Sequence, residues 1–260
     1  MTRQEKARVR RYALYAVTLA FLVFLFFRID WQRVQTAFFD PEIFADLFPK
    51  IITQAARNTL IFTFFAFTGG LVVGLVLALM RLSTITPYRW AAVTYIEFFR
   101  GIPAIITLIF VGYVLPIALG IRIPGTYGAG AVGLIIVAAA YMAETIRAGI
   151  EAVPKGQMEA ARSLGMTRPR AMGTIVVPQA FRIIIPPLTN ELVLLIKDTS
   201  LLFVLGTTAA TEELTKFGRD AVSETFNGTP LIAVALVYLA ITLPLTFLSS
   251  RLERRGRRGR

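Results

Sequence analysis

Long apolar runs alternate along this chain with short segments in which the charges are concentrated. Residues 12–29, 58–80, 88–119, 127–150, 171–206 and 231–248 are the apolar runs, and each reaches the length of about 20 residues that a helix needs to cross a bilayer core. A crossing segment must satisfy its own backbone hydrogen bonds, so runs of this length predict helices. Two runs are interrupted. The third is broken near Gly101 and Pro103 and again at Pro116, and the fifth is too long for one simple span and is divided by Pro178, Pro186 and Pro187. The pattern predicts an all-α, polytopic membrane protein of about six transmembrane helices. Its parts are a basic N-terminus with an additional helix (1–30), an outer interfacial linker (31–57), a transmembrane domain (58–250) containing a polar inner loop (151–170), and a basic tail (251–260).

Within the second run, Gly70 and Gly74 form a GxxxG spacing that lets helices approach closely, which we read as packing inside one subunit. The first run follows Arg3, Lys6, Arg8, Arg10 and Arg11, as a cleaved leader would. It is followed by Arg28, Asp30, Trp31 and Gln32 in place of a small-residue cleavage site, so it reads as an anchor.

Composition sharpens the picture. The 260 residues are 55% hydrophobic, yet the formal net charge is +12 and the mean hydropathy is +0.64. A nucleic-acid module or a disordered basic tail does not combine these properties. The absence of Cys and His removes disulfides, thiol nucleophiles, imidazole bases and His-ligated metals, and no GxxxxGK[ST] run is present to hold a nucleotide. Placing the N-terminus inside puts Arg81, Arg89, Arg147, Lys155, Arg162, Arg168, Arg170 and the terminal arginines on the inner face with the N-terminal cluster. The outer segments are then close to neutral. The positive-inside bias therefore favours both termini inside, and the arginine-rich tail reads as a contact with anionic lipid headgroups and not with nucleic acid.

In the inner loop, Pro154 suits the opening of a helix and Gly165 its end. Between them a short helix of about three turns is expected, with Glu159 and Arg162 at pairing distance. By itself the loop reads first as an ordinary surface helix, since such helices are common in loops. A second polar group lies within the fifth run, where Asn190, Glu191, Lys197, Asp198, Thr199 and Ser200 stand among Leu, Val and Ile. Ionisable residues in spans are costly and mark either function or a structural polar network. A helix interrupted near Lys197 to Ser200 exposes backbone groups at mid-depth, which suits a zwitterion. Arg100, beside the Gly101/Pro103 break, either reaches a substrate carboxylate or snorkels to the interface. Glu97/Arg100 and Glu144/Arg147 are both spaced to pair, and the second pair, near the inner end of its helix, reads as a strut or a contact for a partner ATPase. The outer segment 207–229 reads as solvated.

Glu159-Ala160-Ala161, Gly165, Ile175 and Val177-Pro178 resemble the EAA motif of the permeases of ATP-binding-cassette (ABC) importers, with Val177 where the family has Leu. Ala140-Tyr141, Glu144, Arg147, Gly149, 153–157, Gln179-Ala180, Pro186, Asn190, 197–201 and Glu97 to Pro103 resemble the branch that carries polar amino acids. The resemblance covers roughly residues 55–250. It implies a five-helix type I importer core, to which the N-terminal helix is an addition, in a bacterial cytoplasmic (inner) membrane. It further implies a permease and not an enzyme. No cofactor is expected in this chain, and ATP and Mg would be bound by a separate ABC ATPase subunit dimer. A second permease subunit, as homodimer or heterodimer, and an extracytoplasmic solute-binding protein complete the expected set, the latter received by the outer face. Glu159, Ala160, Ala161 and Gly165 are then the ATPase-coupling residues. Asn190, Glu191, Asp198, Thr199, Ser200 and Arg100 are the substrate candidates, and Pro103, Pro178, Pro186, Lys197, Glu144 and Arg147 are structural or gating. Glu191 leans toward cationic amino acids, whereas Lys197 and Arg100 keep glutamate and glutamine in play. The rival reading is a stand-alone secondary transporter or channel, which requires internal repeats or an acid relay that the chain does not display.

Overall fold

The computed structural model describes residues 3–125, 127–206 and 208–258, and the elements in it are all helical. Helix α1 (Arg3–Arg28) leads through α2 (Trp31–Phe38) and α3 (Pro41–Asp46) into a π-helical stretch, Ile51–Ala56, which continues as α4 (Arg57–Arg81). Next come α5 (Thr86–Gly101), α6 (Ala104–Ile109), a π-helical stretch Phe110–Val114, and α7 (Leu115–Leu119). Helix α8 (Gly128–Glu151) is followed by α9 (Lys155–Ser163), α10 (Arg168–Ala171) and α11 (Val177–Asp198), the last preceded by a π-helical stretch and extended by a 3-10 turn, Thr199–Leu205. Helices α12 (Leu214–Thr225) and α13 (Thr229–Arg258) complete the fold.

Helix α8 is the axis. Ala131, Leu134, Val137, Ala138, Ala139, Ala140, Met142, Ala143 and Ile146 are buried on nearly every side of it, the signature of a helix surrounded by protein. Lipid supplies no hydrophobic drive between helices, so close van der Waals packing must hold them. The glycines show where that packing is closest. A Cβ on Gly70 would lie 2.8 Å from the Ala138 Cβ, and one on Gly74 would lie 3.0 Å from the Ala139 carbonyl oxygen. The GxxxG pair is thus the seam of α4 on α8, within one chain. At the end of the bundle that carries α9, hereafter the α9 end, Leu77, Ile96, Ala143, Ile146, Val153 and Ile184 share one core. At the far end, Ile51, Ala55, Leu214, Ala233 and Val237 share another.

The expected third span is α5 through α7, bent by 107° at Ile102–Pro103. Pro116 causes no further break, because a π-helical turn, in which the Leu115 N–H donates to the Phe110 carbonyl, immediately precedes it and already loosens the ladder there. Four helices are long and apolar enough to cross a membrane alone, with the bent pair as a fifth crossing. Helix α11, the expected fifth span, is not apolar enough to count among them, because Arg182, Glu191, Lys197 and Asp198 dilute its run.

The stretch expected as linker 31–57 is not a passive connection. It forms α2, α3 and the start of the second span, and it buries Leu47, Ile51, Ala55 and Ala56. Helix α2 is also clamped to the turn before α13, where the Gly228 N–H donates to the Ala37 carbonyl at 2.7 Å and the Asn227 amide donates to the Thr36 carbonyl at 2.8 Å. The span residues of α1 bury nothing against the rest of the chain. Gly259 and Arg260 of the expected tail, and Thr207 of the outer segment, lie outside the described residues.

Candidate functional site

The loop between α8 and α11 is built by local rules. Pro154 stands at the N-cap of α9, and the Gln157 N–H donates to its carbonyl at 2.9 Å. At the other end Gly165 has φ +81°, and the Met166 N–H reaches back to the Ala161 carbonyl at 3.1 Å, closing α9 with a Schellman turn that glycine makes without strain. The loop is rooted in the α9-end core through Val153 and tied to α11 by the Gln179 amide on the Gln157 side-chain oxygen at 3.2 Å. Pro178 follows directly on the π-helical turn, in which the Val177 N–H donates to the Met172 carbonyl, and is accommodated where that turn loosens the ladder.

Glu159, Ala160 and Gly165 are exposed on this loop, but Ala161 is only 5% exposed and faces its own chain. Ala161 therefore seats the helix on the body and is not itself a contact for a partner. Glu159 and Arg162 do not pair; the Arg162 guanidinium instead donates to the Met166 carbonyl at 2.9 Å and so reinforces the turn. Sequence reasoning missed Leu164, which is 84% exposed at the tip of α9. A large apolar side chain just before the terminating glycine was the available signal.

The intramembrane polar residues gather on α11, and the structure sorts them. Asn190 and Lys197 are exposed along one side of the helix, and Glu191, Asp198 and Ser200 are half-buried beside them. Thr199 is withdrawn from the set. It is fully buried, and its hydroxyl donates to the Ile196 carbonyl at 2.6 Å, so it serves the step from α-helix to 3-10 helix and is not presented to a ligand. The α-helix stops at Asp198 but the backbone continues as the 3-10 turn until Gly206, which takes a left-handed conformation; the expected interruption is thus a tightening. Inside α11, Pro186 and Pro187 remove two N–H donors. A cavity of about 310 Å³ opens beside them, lined by Glu144, Thr145, Ala148, Gly149, Ile183 and Pro187. Arg100 is not paired with Glu97. Its guanidinium lies 5.8 Å from the centre of the Tyr141 ring, a cation–π distance. Pro103 is exposed at the bend that follows.

At the α9 end the expected Glu144–Arg147 pair is present and is part of a larger cluster. Arg147 pairs with Glu144 and, one turn on, with Glu151. From α4, the Arg81 guanidinium lies 2.9 Å from Glu144 and 3.4 Å from Glu97 of α5. Arg81 was not legible as the partner because 63 residues separate it from Glu144.

The far end carries a polar network where solvated residues were expected. Glu213 is fully buried; its carboxylate accepts from the Thr215 N–H at 2.6 Å, the Lys216 N–H at 2.8 Å and the Tyr238 hydroxyl at 3.2 Å. Burial raises its pKa to about 7. The neighbouring Glu212 is pushed up as well, by burial and by Asp220. The Asn58 amide donates to the Ala210 and Glu212 carbonyls at 3.0 and 2.9 Å, and its oxygen accepts from the Tyr127 hydroxyl at 2.7 Å. The segment before α12 is thereby tied to the start of α4.

Comparison with known proteins matches residues 70–258 to the family described as "Binding-protein-dependent transport system inner membrane component". The chain is 40% identical over 198 residues to the probable glutamine ABC transporter permease protein GlnM of Bacillus subtilis, covering 76% of this chain and 89% of that one. It is 34% identical over 229 residues to the glutamine transport system permease protein GlnP of Escherichia coli, covering 88% and 98%. Among solved structures, an amino acid ABC transporter crystallised with histidines superposes with a TM-score of 0.76 at 39% identity, covering 83% of this chain and 98% of that one. A bacterial alginate importer at 19% identity shares the fold, with a TM-score of 0.67 over 98% of this chain.

Proposed function

Because this chain belongs to the family of binding-protein-dependent transport system inner membrane components, we propose that it is the permease subunit of an ABC importer that moves polar amino acids by alternating access. It is a multi-pass bacterial membrane protein and not an enzyme. ATP and Mg belong to a separate pair of ATPase subunits, and a solute-binding protein delivers substrate on the opposite side. Both termini and α9 face the cytoplasm, the side to which the basic loops assign them. Relatives named as glutamine and arginine permeases support a polar amino acid as cargo.

One observation carries the mechanism: α9 stands out from the bundle as a capped, nine-residue helix with Glu159, Ala160 and Leu164 exposed, while Val153 fixes its root in the core. A helix presented in this way offers a small, rigid knob to a cleft on the ATPase, and movement of that cleft is passed into α8. The side of α11 bearing Asn190 and Lys197 is exposed among the described residues and faces the second permease subunit across the pore. Asn190, Ser200 and Arg100 meet the substrate carboxylate there, and Glu191 and Asp198 meet its ammonium or a cationic side chain.

The test is reconstitution of the permease with its ATPase and binding protein in vesicles, with uptake of labelled arginine, glutamine and glutamate measured beside ATP hydrolysis. Uptake should require ATP inside the cytoplasmic compartment and should be lost in Gly165→Val, whose left-handed backbone costs a β-branched residue roughly 1–2 kcal/mol, with the protein still inserted. Transport by the chain alone, without the ATPase, would overturn the reading.

A further inference from the structure

The charged cluster at the α9 end is not used by the function as stated above. Glu144, Arg147 and Glu151 lie on one face of the last two turns of α8, immediately before the loop that carries α9. Arg81, the last residue of α4, joins this face to α5 by contacting Glu144 at 2.9 Å and Glu97 at 3.4 Å. Arg81 and Glu144 keep about a fifth of their side-chain surface exposed, whereas Glu97 is 58% exposed. Both contacts are made by the same Arg81 Nη1, so one guanidinium nitrogen bridges the two carboxylates.

The geometry matters because of what lies on either side. Beyond Glu151 stands α9, and beyond Glu97 stands the 107° bend at Ile102–Pro103 that turns the third span. Glu144 of this cluster also lines the 310 Å³ cavity between α8 and α11, with Thr145, Ala148, Gly149, Ile183 and Pro187. Ile96 of α5 packs against Ala143 and Ile146 of α8 in the α9-end core, and the Arg81 contacts add a directional, charged tie across the ends of the three helices. Coupling between distant sites needs a contiguous rigid connection or an element with two arrangements that both sites bias.

We propose that Arg81 is a positioning residue for coupling, bracing α4, α5 and α8 at the α9 end so that movement of α9 reaches the bend of the third span. The inference rests on the permease reading above. Its test uses the complete importer in vesicles, comparing wild type with Arg81→Gln and with Glu97→Gln, the latter a half-exposed change that leaves Glu144 and Arg147 paired. Amino acid taken up per ATP hydrolysed is the readout. Both variants should co-purify with the ATPase and keep basal hydrolysis, while uptake per ATP falls about fivefold or more, the usual size of a lost coupling interaction. A wild-type ratio in either variant would overturn the proposal, including the case in which less complex assembles but each complex transports normally. If Arg81→Gln fails to assemble, Glu97→Gln decides alone. Wild-type uptake that needs no ATP would refute the permease reading itself, a result distinct from a normal ratio in a variant.

Discussion

The buried carboxylate of Glu213 makes the far end of the protein sensitive to pH. Its pKa rises from an ordinary 4.5 to about 7 because burial penalises the charged form more than the Thr215, Lys216 and Tyr238 hydrogen bonds favour it. Between these two values the closed structure holds a proton that the opened segment has released. The contribution of Glu213 to docking is therefore fully present below pH 4.5 and is lost as pH rises through 7. A difference of about 2.5 pKa units corresponds to about 3 kcal/mol at 1.36 kcal/mol per unit, and Glu213 is fully buried, so solvent screening does not reduce it. Hydrogen exchange at the Thr215 and Lys216 amides, corrected for intrinsic rate, reads this directly. Protection in the wild type should fall by about a hundredfold between pH 4.5 and pH 8. Glu213→Gln should retain only the smaller slope due to half-buried Glu212. An equal slope in the variant and the wild type would refute the argument, because the proton would then be bound elsewhere.

Two further outcomes test the packing. In Gly74→Val a Cβ would meet the Ala139 carbonyl oxygen and the Met142 Cβ at 3.0 Å, atoms that cannot swing aside; such overpacking costs about 1–3 kcal/mol and should lower the melting temperature in detergent. Gly101→Ala, with nothing within 4 Å of the added carbon, is the control, and equal melting of the two variants would contradict the close α4–α8 seam. Asn58→Ala leaves two carbonyls short of a donor and the Tyr127 hydroxyl without its acceptor, at about 1–3 kcal/mol for each buried group left unsatisfied. Exchange of the 208–214 amides should accelerate while that of the α8 amides does not, and unchanged protection would show that the tie is unimportant.

What could be read from the sequence alone was local. Apolar length marked the spans, Gly101 and Pro103 marked the bend, and Pro154 and Gly165 bounded α9, because crossing length and capping depend on residues close in the chain. The i, i+3 spacing of Glu144 and Arg147 was sufficient for their pair for the same reason, yet the same spacing failed for Glu97 with Arg100 and for Glu159 with Arg162. In those cases a stronger or nearer partner was available: Arg81 from another helix for Glu97 and the turn carbonyl of Met166 for Arg162. Only the tertiary structure decided that Ala161 faces inward, that Thr199 is buried, that Glu213 is sealed beneath Tyr238, and that Arg81 closes the charged cluster. Each of these depends on how far one helix is rotated and how closely it approaches another. That is decided by packing between helices, and no spacing along a single helix encodes it.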